Sequence, residues 1–265
     1  PAGALPTMEN ALLRNRITLS ISTAALIRSR PKLYFTRKGV KFTVLRCLSG
    51  TLSFICNFYA IDRINLADAN MLNKLGPFLA VLFSAILLGE KARPRQVVIT
   101  VAAFLGSLLI VKPTGDSLQT MPTLVALLGG VMAGVTYPAL RGATTNGVDK
   151  TFVIFSYSLF SCVVIGVSLL FEFVVPTWEQ MLCLILCGIC AMVAQYSITT
   201  AYTYAPARDI SIYEYVQVLF SAIWGYIVFQ QVPDTLSFAG YAIVIGLAVM
   251  NFIIEKKESP CRDSV

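Results

Sequence analysis

The chain has 265 residues, 56% of them hydrophobic and only 13% charged, with a mean hydropathy of +0.72 and a formal net charge of +7. Soluble domains carry about 25% charged residues, so this composition excludes a soluble, disordered, fibrous or nucleic-acid-binding chain. Histidine is absent, which removes His-based catalysis and the His-containing zinc motifs.

Apolar runs fit for a bilayer crossing of roughly 20 residues lie at 11–27, 42–61, 66–88, 96–111, 121–140, 151–175, 181–203, 210–229 and 236–254. Breakers and charges separate them, as in RSRPKLYFTRKGVK, GEKARPR, KPTGDSLQ, VPTWEQ and QQVPDT. A membrane barrel would show alternating ten-residue segments instead, so the expected fold class is an all-α, multi-spanning helix bundle with nine helices. The first run is the weakest, with Arg14 and Arg16 near its start. Six of the seven cysteines, Cys47, Cys56, Cys162, Cys183, Cys187 and Cys190, fall inside apolar runs and read as small hydrophobes. Cys183, Cys187 and Cys190 share a helical face without an accompanying carboxylate, so no metal site is expected.

The basic residues set the orientation. Alternate loops place fifteen on one side, in the stretches 28–41, 91–95, 141–150, 208 and the C-terminal tail. The other side receives four: Arg14, Arg16, Arg63 and Lys112. Lys and Arg favour cytoplasmic loops, so the C-terminus is expected in the cytoplasm, residue 1 outside, and the membrane to be the plasma (inner) membrane. Trp178 fits an anchor at the outer interface. The loop-like opening PAGALPTMEN, without an initiator Met, leads to the expectation of an upstream helix or a cleaved leader.

An internal repeat follows. A shift of 141 places Leu45 on Leu186, Ala60 on Ala201, Asp68 on Asp209 and Glu90 on Gln231, and a shift of 140 places Gly106 on Gly246. A charged turn, a long helix, an acidic or amide cap and an apolar closing helix recur in the same order. Five spans separate the copies, and an odd number inverts the second relative to the first, as in transporters with alternating access.

The segments FYAIDRINLADANMLNKLGPFLAVLFSAILLGEKARP and AYTYAPARDISIYEYVQVLFSAIWGYIVFQQVPD resemble the two EamA-type domains of the drug/metabolite transporter superfamily. The resemblance implies two inverted five-helix halves and transport of small metabolites such as amino acids and related compounds. It makes the nine spans helices two to ten of a ten-helix fold, the first apparently missing. It divides the chain into a first repeat at 11–113, a second at 121–256 and a cytoplasmic tail at 257–265. The family's Gly-Glu after the second long helix reads Gln230-Gln231 here, whereas Glu90 keeps the acid in the first half.

Ionisable residues deep in spans are the candidate site, because a charge at mid-membrane costs roughly 2.5–3.5 kcal/mol on insertion scales and faces a cavity or partner. Lys74 lies about 15 Å along its helix at 1.5 Å per residue, near the midplane. Asn70, Asn73, Lys74 and Pro77 share one helical face. In the second copy Tyr213, Glu214, Gln217, Ser221 and Trp224 line the corresponding helix, and Glu214 enters from the opposite side to similar depth. Lys74 is expected to attract an anionic group and Glu214 to receive an ammonium group or proton; the alternative is an ion pair locking the repeats together. Asn57, Gln195, Tyr137, Tyr157 and Arg16 complete the expected substrate-binding set. Arg46 is expected to snorkel to the cytoplasmic surface, and Arg14 and Arg16 to recruit anions at the outer mouth. Gly130 and Gly134 form a GxxxG for close helix approach. The runs 96–111 and 236–254 carry almost no central polar residue and are expected at the periphery, facing lipid or a second protomer in a homodimer.

The leading functional expectation is a secondary transporter, exporter or importer, with a small-molecule substrate, the lipid bilayer as partner and no cofactor. No GxxxxGK[ST] motif for ATP-driven transport is present. A non-transporting sensor or scaffold, or a lipid-modifying membrane enzyme, is the alternative; the fourteen acids are too scattered for the clustered carboxylates that enzyme would need.

Overall fold

The computed structural model describes residues 7–30, 36–64, 66–90, 94–111, 121–168, 177–229 and 235–258. These residues form an all-α bundle of eleven helical segments: α1 (Thr7–Ser29), α2 (Arg37–Ile61), α3 (Leu66–Asn73), α4 (Leu75–Leu88), α5 (Pro94–Val111), α6 (Met121–Thr145), α7 (Lys150–Ser168), α8 (Trp178–Tyr204), α9 (Ala207–Glu214), α10 (Val216–Phe229) and α11 (Thr235–Glu258). Five of them, α2, α6, α7, α8 and α11, are long and apolar enough to cross a membrane, and α4 and α5 are shorter apolar helices.

Helix ends follow local chemistry. Thr36 caps α2 by accepting from the Gly39 N–H at 3.0 Å, which starts the helix at Arg37, five residues before the apolar run. Thr177 and Gln180 form a reciprocal capping box at α8. Gly89, at φ 67°, closes α4 in the left-handed conformation that glycine adopts without strain.

The runs expected at 66–88 and 210–229 are not continuous: each is two segments, broken at Lys74 and Tyr215. Adding 141 to Leu66–Asn73 and Leu75–Leu88 gives Ala207–Glu214 and Val216–Phe229, so the breaks sit at equivalent positions of the repeat. Packing obeys the same relation, which carries α1–α5 onto α7–α11. The counterparts α1 and α7 pack together, as do α5 and α11, while α1 on α8 is matched by α2 on α7. Because five crossings separate each element from its counterpart, the relating axis lies in the membrane plane.

The α5–α11 contact buries Ile99, Ala103, Val244 and Ala248 around Ile212 and Tyr215 of the second broken span. The opposite faces, with Val98, Leu105, Phe238 and Val249, are exposed, so these helices sit at the edge. α6 runs along α2 and α4. Its Gly130 and Gly134 make that approach possible: a Cβ on Gly130 would collide with the Leu72 carbonyl, and one on Gly134 would lie 2.5 Å from Leu79 Cβ. α1, the least apolar of the long helices, is tied inward through Asn15, whose amide donates to Ser161 Oγ of α7 at 2.8 Å. Thr18 and Ser22 of the same helix are buried as well, whereas Arg16 and Ser20 are exposed.

Candidate functional site

The two helix breaks meet. Pro77 has no N–H for the Asn73 carbonyl, and its ring crowds that carbonyl, so α3 ends at Asn73 and α4 begins after Lys74. The second break lacks a proline and is made by tightened three-residue bonds, Tyr215 N–H to Ile212 O at 3.2 Å and Val218 N–H to Tyr215 O at 3.0 Å. The fully buried Tyr215 donates its hydroxyl to the Lys74 carbonyl at 3.1 Å, linking the equivalent positions of the two halves.

The charges at this level are each held by a polar partner. Lys74 Nζ donates to Gln217 Oε1 at 2.9 Å across the same junction. Glu214 accepts from the Tyr202 hydroxyl at 2.5 Å. Tyr202 has no exposed surface and stacks on Tyr137, with centroids 4.7 Å apart and planes at 4°. Lys74 and Glu214 are therefore bonded to different residues rather than clasping one another. A carboxylate or ammonium at this depth is tolerated only with such partners.

Beside the junction is a polar cavity of about 360 Å³. Of the residues expected from the sequence, Asn57, Asn73, Tyr137, Tyr157 and Gln195 line it. Lys74 and Glu214 are not among the lining residues: Lys74 follows Asn73 in the chain, and Glu214 is bonded to Tyr202, which stacks on the lining Tyr137. Asn70 sits one turn before the break, its carbonyl accepting from the Lys74 N–H at 3.0 Å. Gln217 is exposed but tethers Lys74. Tyr213, Trp224 and Arg16 are exposed and do not line the cavity. Trp178 is exposed at the start of α8. Gln230 and Gln231 lie outside the described residues.

Arg46 is placed differently from the sequence expectation. With α2 beginning at Arg37, it lies nine residues along the helix, about 14 Å from its start, and is 4% exposed. Its guanidinium stacks 4.1 Å from the Tyr157 ring centroid and lines the cavity instead of reaching the surface. Arg14 lines it from α1, stacked 4.5 Å from the Phe54 centroid. The signal that could have revealed Arg46 is Gly50, one turn on: a Cβ there would collide with the guanidinium and come within 3.0 Å of Tyr157. A second hollow, of about 650 Å³ between α2 and α7, is lined by apolar residues such as Val44, Leu48 and Leu159 and has the character of a lipid-facing crevice.

At the end of α4, Arg141 Nε pairs with Glu90 Oε1 at 2.5 Å, Ser84 donates to the other carboxylate oxygen, and Arg141 Nη1 donates to the Tyr202 carbonyl at 3.2 Å. This retained acid therefore joins α4, α6 and α8 outside the cavity.

The chain matches the EamA-like transporter family over residues 3–112 and 120–253. It is 32% identical to the pseudopaline exporter CntI of Pseudomonas aeruginosa, over 92% of this chain and 85% of that one. It is 26% identical to a riboflavin transporter of Rhizobium johnstonii, over 69% and 61%. A crystal structure 21% identical in sequence superposes with a TM-score of 0.82, covering 95% of this chain and 90% of the other, which confirms the fold. The chain therefore belongs to the EamA-like transporter family: it is an integral multi-pass membrane protein and a transporter of small metabolites, not an enzyme.

Proposed function

We propose that this chain is a secondary transporter that moves its solute by alternating access, with the cavity beside the Lys74–Tyr215 junction as the substrate chamber. The observation that carries this reading is the meeting of two repeat-equivalent helix breaks, Lys74 and Tyr215, beside a polar chamber. Broken helices leave backbone groups free of helical pairing where a solute passes, and two half-helices can tilt about each break without melting either span. Rocking of one repeat against the other would strain the bonds that cross the junction, Lys74 to Gln217 and Tyr215 to the Lys74 carbonyl, so these serve as the latch.

In this scheme Lys74 and Glu214 bias the chamber electrostatically, and Glu214 is the group that would take an ammonium or a coupling proton. The charge distribution supports a cytoplasmic C-terminus in the plasma membrane, and the exposed faces of α5 and α11 are the surfaces through which a homodimer would form. The test is reconstitution. Solutes that raise the melting temperature of the purified protein are loaded into proteoliposomes, and counterflow is measured for wild type, Lys74→Ala and Glu214→Gln. Both variants are expected to slow counterflow at least tenfold; wild-type rates from both would end the proposal.

A further inference from the structure

Among the described residues, the cavity is lined by two arginines, Arg14 and Arg46, and by no acidic side chain. Nε and Nη1 of Arg46 and Nε of Arg14 are buried without a hydrogen-bond partner. Arg46 is the more demanding case, because 96% of its surface is removed from water. Buried donors of a charged group are paired in stable folds, and leaving them unmet carries a desolvation penalty. Ring stacking on Tyr157 offsets part of that penalty, and fixes the plane of the guanidinium, but satisfies no N–H. Arg14 is held in the same manner by Phe54, and its Nη2 donates to Asn15 Oδ1 at 3.3 Å. Glu214 is not among the lining residues and is held by Tyr202, which stacks on Tyr137.

The geometry points to an anion-binding site: the two ring-stacked arginines that line the cavity clamp a carboxylate- or phosphate-bearing solute between their guanidinium groups. A guanidinium presents a planar fork of donors that matches both oxyanions, and stacking pre-orients it so that little freedom is lost on binding. Asn57 and Gln195, at the same cavity wall, supply neutral donors and acceptors for the rest of the molecule. Gly50 keeps the fork in place by leaving room for it. The inference rests on the reading of this cavity as the substrate chamber and adds the chemical class of what enters.

The test uses the purified full chain and reads binding, so it does not depend on transport. Melting temperature is followed against citrate and against inorganic phosphate, with ionic strength held constant by chloride, for wild type, Arg46→Met, Arg46→Lys and Arg14→Met. A saturable rise is expected for wild type with at least one of the two anions. The apparent affinity should fall at least tenfold in both Met variants and by less in Arg46→Lys, which keeps the charge but loses the fork. Without anion, Arg46→Met is expected to melt no lower than wild type, because it removes unmet buried donors; a purely structural arginine would lower the melting temperature. Three results overturn the site: neither anion exceeding chloride, Arg46→Met retaining the full shift, or a shift produced only by phosphatidylglycerol over phosphatidylcholine nanodiscs, which would assign the arginines to lipid headgroups. Anion binding without counterflow of any solute would instead sink the transport reading and leave the anion site standing.

Discussion

Removing one hydroxyl, in Tyr202→Phe, tests how the Glu214 carboxylate is held. The ring keeps its stack on Tyr137, 4.7 Å away, so packing is conserved and only the 2.5 Å hydrogen bond is lost. A hydrogen bond to a charged acceptor contributes about 1.5–3 kcal/mol, and no water replaces it beside a residue without exposed surface. A loss of about 2 kcal/mol is therefore expected, equivalent to a fall in melting temperature of about 4–8 °C for a chain of this size. Glu214→Gln removes the charge and makes the hydroxyl less important, so the double variant is expected to be more stable than the sum of the single losses allows, with a coupling of about 1–2 kcal/mol. The assay is thermal unfolding of all four proteins in one detergent, followed by intrinsic fluorescence. Unchanged stability of Tyr202→Phe, or strictly additive losses, would show that Tyr202 does not support the carboxylate.

Pro77→Ala restores the N–H that the Asn73 carbonyl lacks. It is expected to leave stability unchanged or raise it while slowing counterflow several-fold, which parallel melting and proteoliposome measurements would show. Gly130→Ala forces a methyl against the Leu72 carbonyl. It is expected to cost about 1–3 kcal/mol by overpacking, read as a lower melting temperature. Glu90→Ala strips Arg141 of its carboxylate where both side chains are 15–20% exposed. That lies between the surface and buried limits, and a loss of about 2 kcal/mol is expected in the same melts. Gly50→Ala displaces the Arg46 guanidinium and is expected to abolish citrate- or phosphate-induced stabilisation as Arg46→Met does.

The helical class and the repeat could be read from the sequence because both rest on local or periodic information. Apolar runs of span length make helices in a bilayer whatever their neighbours, and the shift of 141 that aligns Asp68 with Asp209 also superimposes the helix boundaries on either side of Lys74 and Tyr215. The first break has a local cause in Pro77, although the run 66–88 reads as one span in the sequence. The second has no such local cause, since its three-residue bonds depend on the burial of Tyr215 against α5 and α11.

The site divided along the same line. Asn57, Asn73, Tyr137, Tyr157 and Gln195 could be named from the sequence as polar residues within apolar spans, and they line one cavity. Which group holds which did not follow, because Lys74 and Gln217 are 143 residues apart and only the packing of α4 against α9 sets their distance. Arg46 shows the reason most clearly. Its residue type and position allow a long side chain to reach either the cytoplasmic surface or the interior. The choice was made by Tyr157 on α7, a neighbour that exists only once the helices have packed, while Gly50, one turn on in the same helix, leaves room for the guanidinium.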